Sequence, residues 1–187
     1  MRFMTKVFVA VIAAGLFCST LVAVEDGIVM RLGFGSVVLK EKASASGLTL
    51  ENSDRGAALD IYGGYRMQNA QFGLSYTSIN CDGCSSNYIL ASGAYVFENV
   101  NDVVKPFLGL GLGSFNLKTD DGDINERGLF GTANLGVNVE FDHFFTGVEF
   151  RQRIFGKVDK DYYYSSYNIS YEANPAQTYL FYVGYKF

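Results

Sequence analysis

Gln177-Thr-Tyr-Leu-Phe-Tyr-Val-Gly-Tyr-Lys-Phe187 reads as a strand. Phe187, Tyr185, Val183, Phe181 and Tyr179 share one face, and Lys186, Gly184, Tyr182 and Leu180 share the other, because side chains alternate along extended backbone. The first face is apolar and aromatic; the second is mixed. The stretch stops on an aromatic residue with no polar tail behind it, whereas the termini of soluble domains tend to fray into water.

The same period of two recurs in seven segments upstream, separated by polar or glycine-containing breaks. Gly27 to Leu39 sets Ile28, Met30, Leu32 and Phe34 against Arg31, Gly33 and Gly35, and a long polar loop is expected from Lys40 to Arg55. Gly56 to Arg66 sets Ala57, Leu59, Ile61 and Tyr65 against Asp60, Tyr62, Gly64 and Arg66. After a tight turn near Met67 to Asn69, Phe72, Leu74 and Tyr76 oppose Gln71, Gly73, Ser75 and Thr77. Tyr88 to Phe97 is apolar on both faces, which leaves its orientation open. In Lys105 to Phe115, Leu108, Leu110 and Leu112 oppose Gly109, Gly111 and Gly113. Leu129 to Phe141 alternates likewise, with Glu140 on its polar face; after a turn at Asp142-His143, Phe144, Val148, Phe150 and Ile154 oppose Glu149, Arg151 and Arg153.

The breaks alternate too. Those after the first, third, fifth and seventh strands are long or polar, and those after the second, fourth and sixth are short. A meander crossing a membrane with short periplasmic turns and long outer loops has this rhythm. A soluble barrel alternates as well, but there the apolar face packs inward and the charges face water. Here the charged face also carries much of the strand glycine, which suits a crowded lumen better than a solvated exterior. The expected fold is all-β: an eight-stranded antiparallel up-and-down transmembrane β-barrel, closed because lipid leaves no partner for an open edge.

At 187 residues the chain suits one barrel domain, residues 24–187, behind a signal peptide, residues 1–23. Arg2 and Lys6 supply a positive start, Val7 to Phe17 an apolar run too short to span a bilayer as a helix, and small residues near Ala23 a cleavage site. Cys18 does not suit a lipoprotein anchor, since bulky Phe17 precedes it. The composition agrees with a barrel: 16% aromatic, 21 Gly, only 2 Pro. A net charge of −4 argues against a nucleic-acid partner, whose binding needs an excess of Lys and Arg to replace the phosphate counterions.

With Lys105-Pro-Phe-Leu-Gly-Leu-Gly-Leu-Gly113 and the terminal Tyr185-Lys-Phe187, the mature chain resembles the eight-stranded OmpA/OmpX-like outer-membrane barrels, including the opacity-like adhesins and small porin-family proteins. The resemblance implies a Gram-negative outer-membrane location reached through the Sec pathway, contact with outer-membrane lipid and lipopolysaccharide, and a monomer. It further implies that Phe187, Tyr185 and Val183 belong to the signal read by the barrel-assembly machinery. It leaves any host or surface ligand unspecified. The chain ends at the barrel, so a periplasmic peptidoglycan-binding domain is not expected.

The expected lumen cluster is Arg31, Asp60, Arg66, Glu140, Glu149, Arg151 and Arg153, with Lys105 and Lys186 lower down. Charges in a narrow barrel must be paired, since isolated burial costs several kcal/mol. The expected role is a salt-bridge network filling the lumen; the alternative is a narrow passive pore favouring anions, because bases outnumber acids in this set. Cys81-Asp-Gly-Cys84 falls at an outer loop tip, where an oxidising envelope favours a loop-stapling disulfide over a redox or zinc centre. Asp120-Asp-Gly-Asp-Ile-Asn-Glu126 lacks the spacing of an EF-hand and reads as a solvated acidic loop. No cofactor is expected: the glycine run lacks the third glycine and the helix of a dinucleotide site. His143, the one histidine, falls in a periplasmic turn, whereas the outer-membrane lipid A-modifying barrels place a histidine toward the outer leaflet. No catalytic site is therefore expected, and a lipid A-modifying enzyme ranks third as a reading. The last loop, Phe155 to Gln177, carries Tyr162, Tyr163, Tyr164, Tyr167 and Tyr171, which suit surface recognition and equally an interfacial aromatic girdle or prolonged strands. The leading function is thus envelope structure or adhesin-like surface interaction through the outer loops.

Overall fold

The computed structural model describes residues 26–45, 48–82, 84–98, 103–119, 125–156, 158–164 and 167–187. The expected signal peptide, residues 1–23, lies outside them. The described strands are β1 (Gly27–Ala45), β2 (Leu48–Met67), β3 (Ala70–Cys81), β4 (Cys84–Val96), β5 (Val104–Thr119), β6 (Asn125–Phe141), β7 (Phe144–Phe155), β8 (Val158–Tyr164) and β9 (Tyr167–Lys186). Strands β1 to β7 pair antiparallel with their sequence neighbours, β7 pairs with β9, and β9 returns to pair with β1. The wall is a closed barrel of eight strands. β8 lies on the same side of β9 as β7 does, and takes up the pairing where β7 leaves off: Gln152 faces Gln177, then Val158 faces Ala173. β7 and β8 are thus one wall strand, interrupted where Gly156 takes a φ of 93°, a conformation natural to glycine.

Two-residue turns close β2–β3 at Gln68-Asn69 and β6–β7 at Asp142-His143. Gln68 and Asp142 adopt left-handed φ values of 49° and 57°, which bring the chain round within the twist of a tight hairpin. Asp26 braces the first of these turns, its Oδ1 accepting from the Gln68 N–H at 2.6 Å. This short-turn end also holds the first residues of β1 and the last of β9, where the Phe187 N–H donates to the Ile28 carbonyl at 2.9 Å.

The alternation has the sign of a membrane barrel. Leu110, Leu112 and Leu129 stand 65%, 64% and 76% exposed on the outer face, while Asp60, Glu149 and Arg151 are buried within. The undecided strand is settled: Ser86, Tyr88, Leu90 and Val96 of β4 point inward, and Ile89 and Tyr95 point outward. Inside, glycines receive the rings of neighbouring strands. A Cβ on Gly73 would meet the Tyr62 ring at 2.5 Å, and one on Gly147 would meet the Tyr182 hydroxyl at 2.5 Å. The glycine-rich face is therefore where the lumen side chains lie down.

Two expected loops are instead strands. Residues 40–45 and 48–55 continue the β1–β2 ladder without a break in register, from Val38 opposite Arg55 to Ala45 opposite Leu48. Most of Phe155 to Gln177 forms β8 and the first half of β9. The physical reason is that hydrogen bonding continues after the hydropathy pattern stops: a ribbon that has left the apolar layer needs no apolar face, but its N–H and C=O groups still seek partners. Pro175 marks the changeover. The β1–β9 register slips between Val38 and Leu39, which faces Pro175, and proline, which has no N–H, is tolerated at such irregularities.

Candidate functional site: a filled lumen beneath a raised rim

The lumen side chains form layers set by strand parity. In the middle, Arg151 on β7 grips two carboxylates. Its Nη1 and Nη2 donate to Asp60 Oδ1 at 2.9 Å and Oδ2 at 3.2 Å, and its Nε donates to Glu149 Oε1 at 2.8 Å. Arg31 on β1 completes the square, with Nη2 at 2.5 Å from Glu149 and 3.8 Å from Asp60. Thr77 donates to Asp60 at 2.6 Å, and Arg151 also reaches Thr77 and the Tyr88 hydroxyl. The Arg31 guanidinium lies between the Tyr62 and Tyr182 rings, 4.5 and 4.7 Å from their centroids. Two bases and two acids, all buried, leave this layer neutral. In such surroundings the Coulomb attraction and bidentate hydrogen bonds offset the loss of hydration.

A second neutral set lies near the short-turn end. Arg66 binds Glu140, and its Nη2 donates to Glu98 at 2.7 Å; Lys105 lies 3.2 Å from Glu140 and 3.9 Å from Glu98. Glu98 was not among the expected lumen residues. It follows the end of β4, yet it lies in phase with Val96, and strand parity carried two residues further would have found it. With Glu98 added, each of these two layers balances; Arg153 and Lys186 lie outside them, so bases still outnumber acids in the enlarged set by six to four.

Apolar clusters lie at both ends of the central square. Val29, Tyr62, Val96, Phe107, Phe145 and Tyr182 form the one near the short turns, and the other includes Val37, Ile79, Leu90, Phe115, Leu117 and Phe130. At the short-turn mouth, Arg66, Glu140 and Lys186 line a cavity of only about 10 Å³. Arg153 joins neither ion-paired layer; its guanidinium lies 4.4 Å from the Phe130 centroid and 4.9 Å from that of Phe115. The expected cluster is therefore brought together as two networks plus Arg153, with Lys105 in the second and Lys186 at its mouth.

At the opposite end the barrel rises unequally. β2 pairs with β3 only as far as Ala57 opposite Asn80, but continues beside β1 to Leu48. β1 in turn follows β9 to Ile169, and β9 carries β8. A four-stranded sheet, β2-β1-β9-β8, thus stands above the rest of the rim. Residues 39–45 of β1 extend about 20 Å past the barrel belt at about 3.3 Å each. Tyr162, Tyr163 and Tyr164 belong to β8, and Tyr167 and Tyr171 to the facing part of β9, with Tyr162 opposite Ile169 and Tyr164 opposite Tyr167. They are prolonged strand, at the far end of the sheet from the short turns. A disulfide joins Cys81 to Cys84 across the β3–β4 hairpin tip. His143 sits at a short turn, stacked on Tyr185 with ring centroids 5.7 Å apart. Of the acidic stretch from Asp120, only Asn125 and Glu126 fall in described structure, in β6.

No family model and no curated protein sequence matches the chain. Among solved structures it is similar to Neisserial surface protein A, with a TM-score of 0.59 and 22% identity over 86% of this chain and 97% of that one. Weaker likenesses are the N-terminal β-barrel domain of Pseudomonas aeruginosa OprF, TM-score 0.43 at 16% identity over 84% and 97%, and Ail, the attachment invasion locus protein of Yersinia pestis, TM-score 0.40 at 14% identity over 86% and 99%. The fold is that of a small outer-membrane β-barrel protein.

Proposed function

We propose that this chain is a Gram-negative outer-membrane protein, exported behind its N-terminal segment, that acts at the cell surface by binding through its raised sheet. The observation that carries this reading is the contrast between the two ends of one barrel. The lumen is filled by paired charges and rings, while the β2-β1-β9-β8 sheet extends well beyond what spanning requires, since about 9 to 11 residues per strand cross a bilayer and β1 and β9 have 19 and 20. Among the described residues the far parts of β2 and β8 have a partner strand on one side only. Such edges offer unpaired backbone groups to an incoming polypeptide, and residues 162–171 include five tyrosines, a residue type suited to recognition. His143 belongs to the end that this reading assigns to the periplasm, away from an outer-leaflet substrate, which speaks against lipid A chemistry.

Replacing residues 158–173 by a short turn tests the proposal. The ladder from Phe144 opposite Tyr185 to Gln152 opposite Gln177 is untouched, so the shortened barrel is expected to keep its heat-dependent gel shift. Adherence of bacteria displaying it to host cells is expected to fall to the level of cells lacking the protein. Undiminished adherence with a correctly folded, shortened barrel overturns the reading.

A further inference from the structure

Arg31, Arg66 and Arg151 each meet at least one carboxylate within the lumen. Among the described residues Arg153 meets none: the faces of Phe115 and Phe130 lie against it, its Nη1 is 3.5 Å from the carbonyl oxygen of Gly156, and the Tyr88 hydroxyl, which Arg151 also reaches, lies near enough to act on its charge. It is 8% exposed, so its charge is largely withdrawn from water, and no carboxylate among the described residues neutralises it as in the layers beneath. Directly across the β6–β7 ladder stands Thr132, whose Oγ1 is buried with no hydrogen-bond partner. The two side chains are inward neighbours at the last regular pair before β7 bulges: Thr132 faces Arg153, Gly131 faces Phe155, and Ile154 is passed over. A ring-flanked guanidinium keeps the edge of its fork free for an acceptor, because rings contact its face and leave its N–H groups in plane. A neighbouring hydroxyl supplies a further donor.

We infer that Arg153 and Thr132 form a seat for a small oxyanion at the rim end of the lumen, with a phosphate or sulfate group accepting from the guanidinium fork and from the Thr132 hydroxyl. The occupant is solution-borne rather than a lipid headgroup, because Arg153 points into the barrel while Ile154 and Phe155 beside it face outward, at 57% and 52% exposed. The seat stands independently of whether the raised sheet binds a partner.

The test uses the full barrel refolded in neutral detergent, with inorganic phosphate as the probe and chloride at equal ionic strength as the reference. The thermal midpoint of the wild type is expected to rise saturably with phosphate, by about 5 °C more than that of Arg153→Met at a hundredfold excess over the dissociation constant. Comparing the two proteins removes the general stabilisation that phosphate gives any fold. Arg153→Lys, which keeps the charge and loses the fork, is expected to show a reduced response. In the wild type the Arg153 Nε–H resonance is expected to move along the same titration. Equal phosphate shifts in wild type and Arg153→Met, or an Nε–H resonance that stays put, overturn the proposal. Should Arg153→Met fail to refold, the resonance and the lysine variant decide it.

Discussion

Arg151 is the most heavily committed side chain among the described residues. It joins Asp60 from β2 to Glu149 from its own strand and donates to Thr77 and Tyr88 as well. Replacing it by Met would leave two buried carboxylates sharing Arg31, whose Nη2 is already 2.5 Å from one of them. Breaking a buried network in this one-sided way costs about 3–5 kcal/mol. The Arg151→Met barrel is therefore expected to unfold at markedly lower urea, with Asp60→Asn in the same background recovering part of the loss; an unchanged midpoint would mean that water reaches the square. All four members of that square were legible in the sequence, because charge on the glycine-bearing face of an alternating strand can only point inward. Which acid met which base was not legible, since pairing across the lumen depends on the stagger between strands. Glu98 was missed because the hydropathy pattern ended at Phe97, one residue before it.

At the scale of elements, the sequence signalled strands only where one face was apolar. The ladder from Val38–Arg55 to Ala45–Leu48 lies outside that signal, although it is as regular as the part below it. The same blindness turned β8 and half of β9 into a loop. Cys81 and Cys84, by contrast, were legible as a pair from compartment chemistry, and they terminate a β3–β4 ladder that runs unbroken from Ala70 opposite Tyr95. Their disulfide closes a very small loop in a chain already folded back on itself. Replacing both cysteines by Ser is thus expected to cost about 2 kcal/mol or less, measured as a small drop in urea midpoint with the gel shift retained. A barrel that no longer assembles would show that the bridge guides hairpin formation rather than trimming it.

Among the described residues the barrel wall is apolar outside, and its interior holds two neutral charge layers, Arg153 and apolar clusters. Eight strands enclose just enough room for side chains, and these use it. Purified barrel in planar bilayers is accordingly expected to show no discrete conductance steps; steady openings of defined size would demand a second arrangement of the Arg31, Asp60, Glu149 and Arg151 square. Strand order and the facing of the eight expected strands other than β4 could be read from alternation, closure followed from the lack of partners for an open edge in lipid, and β4 resisted because both of its faces are apolar. Beyond the prolonged strands that the last tyrosines allowed as one reading, the unequal height of the rim was not legible, for it is a property of pairing and not of composition.

The ladder between β1 and β2 runs from Gly27 opposite Arg66 to Ala45 opposite Leu48, so the raised sheet and the barrel wall are one uninterrupted ladder. A tug on the tip of that sheet is directed along the strands. Its load is carried in shear by many hydrogen bonds acting in parallel, rather than by one bond after another as in peeling. Anything attached up there would be moored to the whole wall, and the attachment would give way before the anchor did.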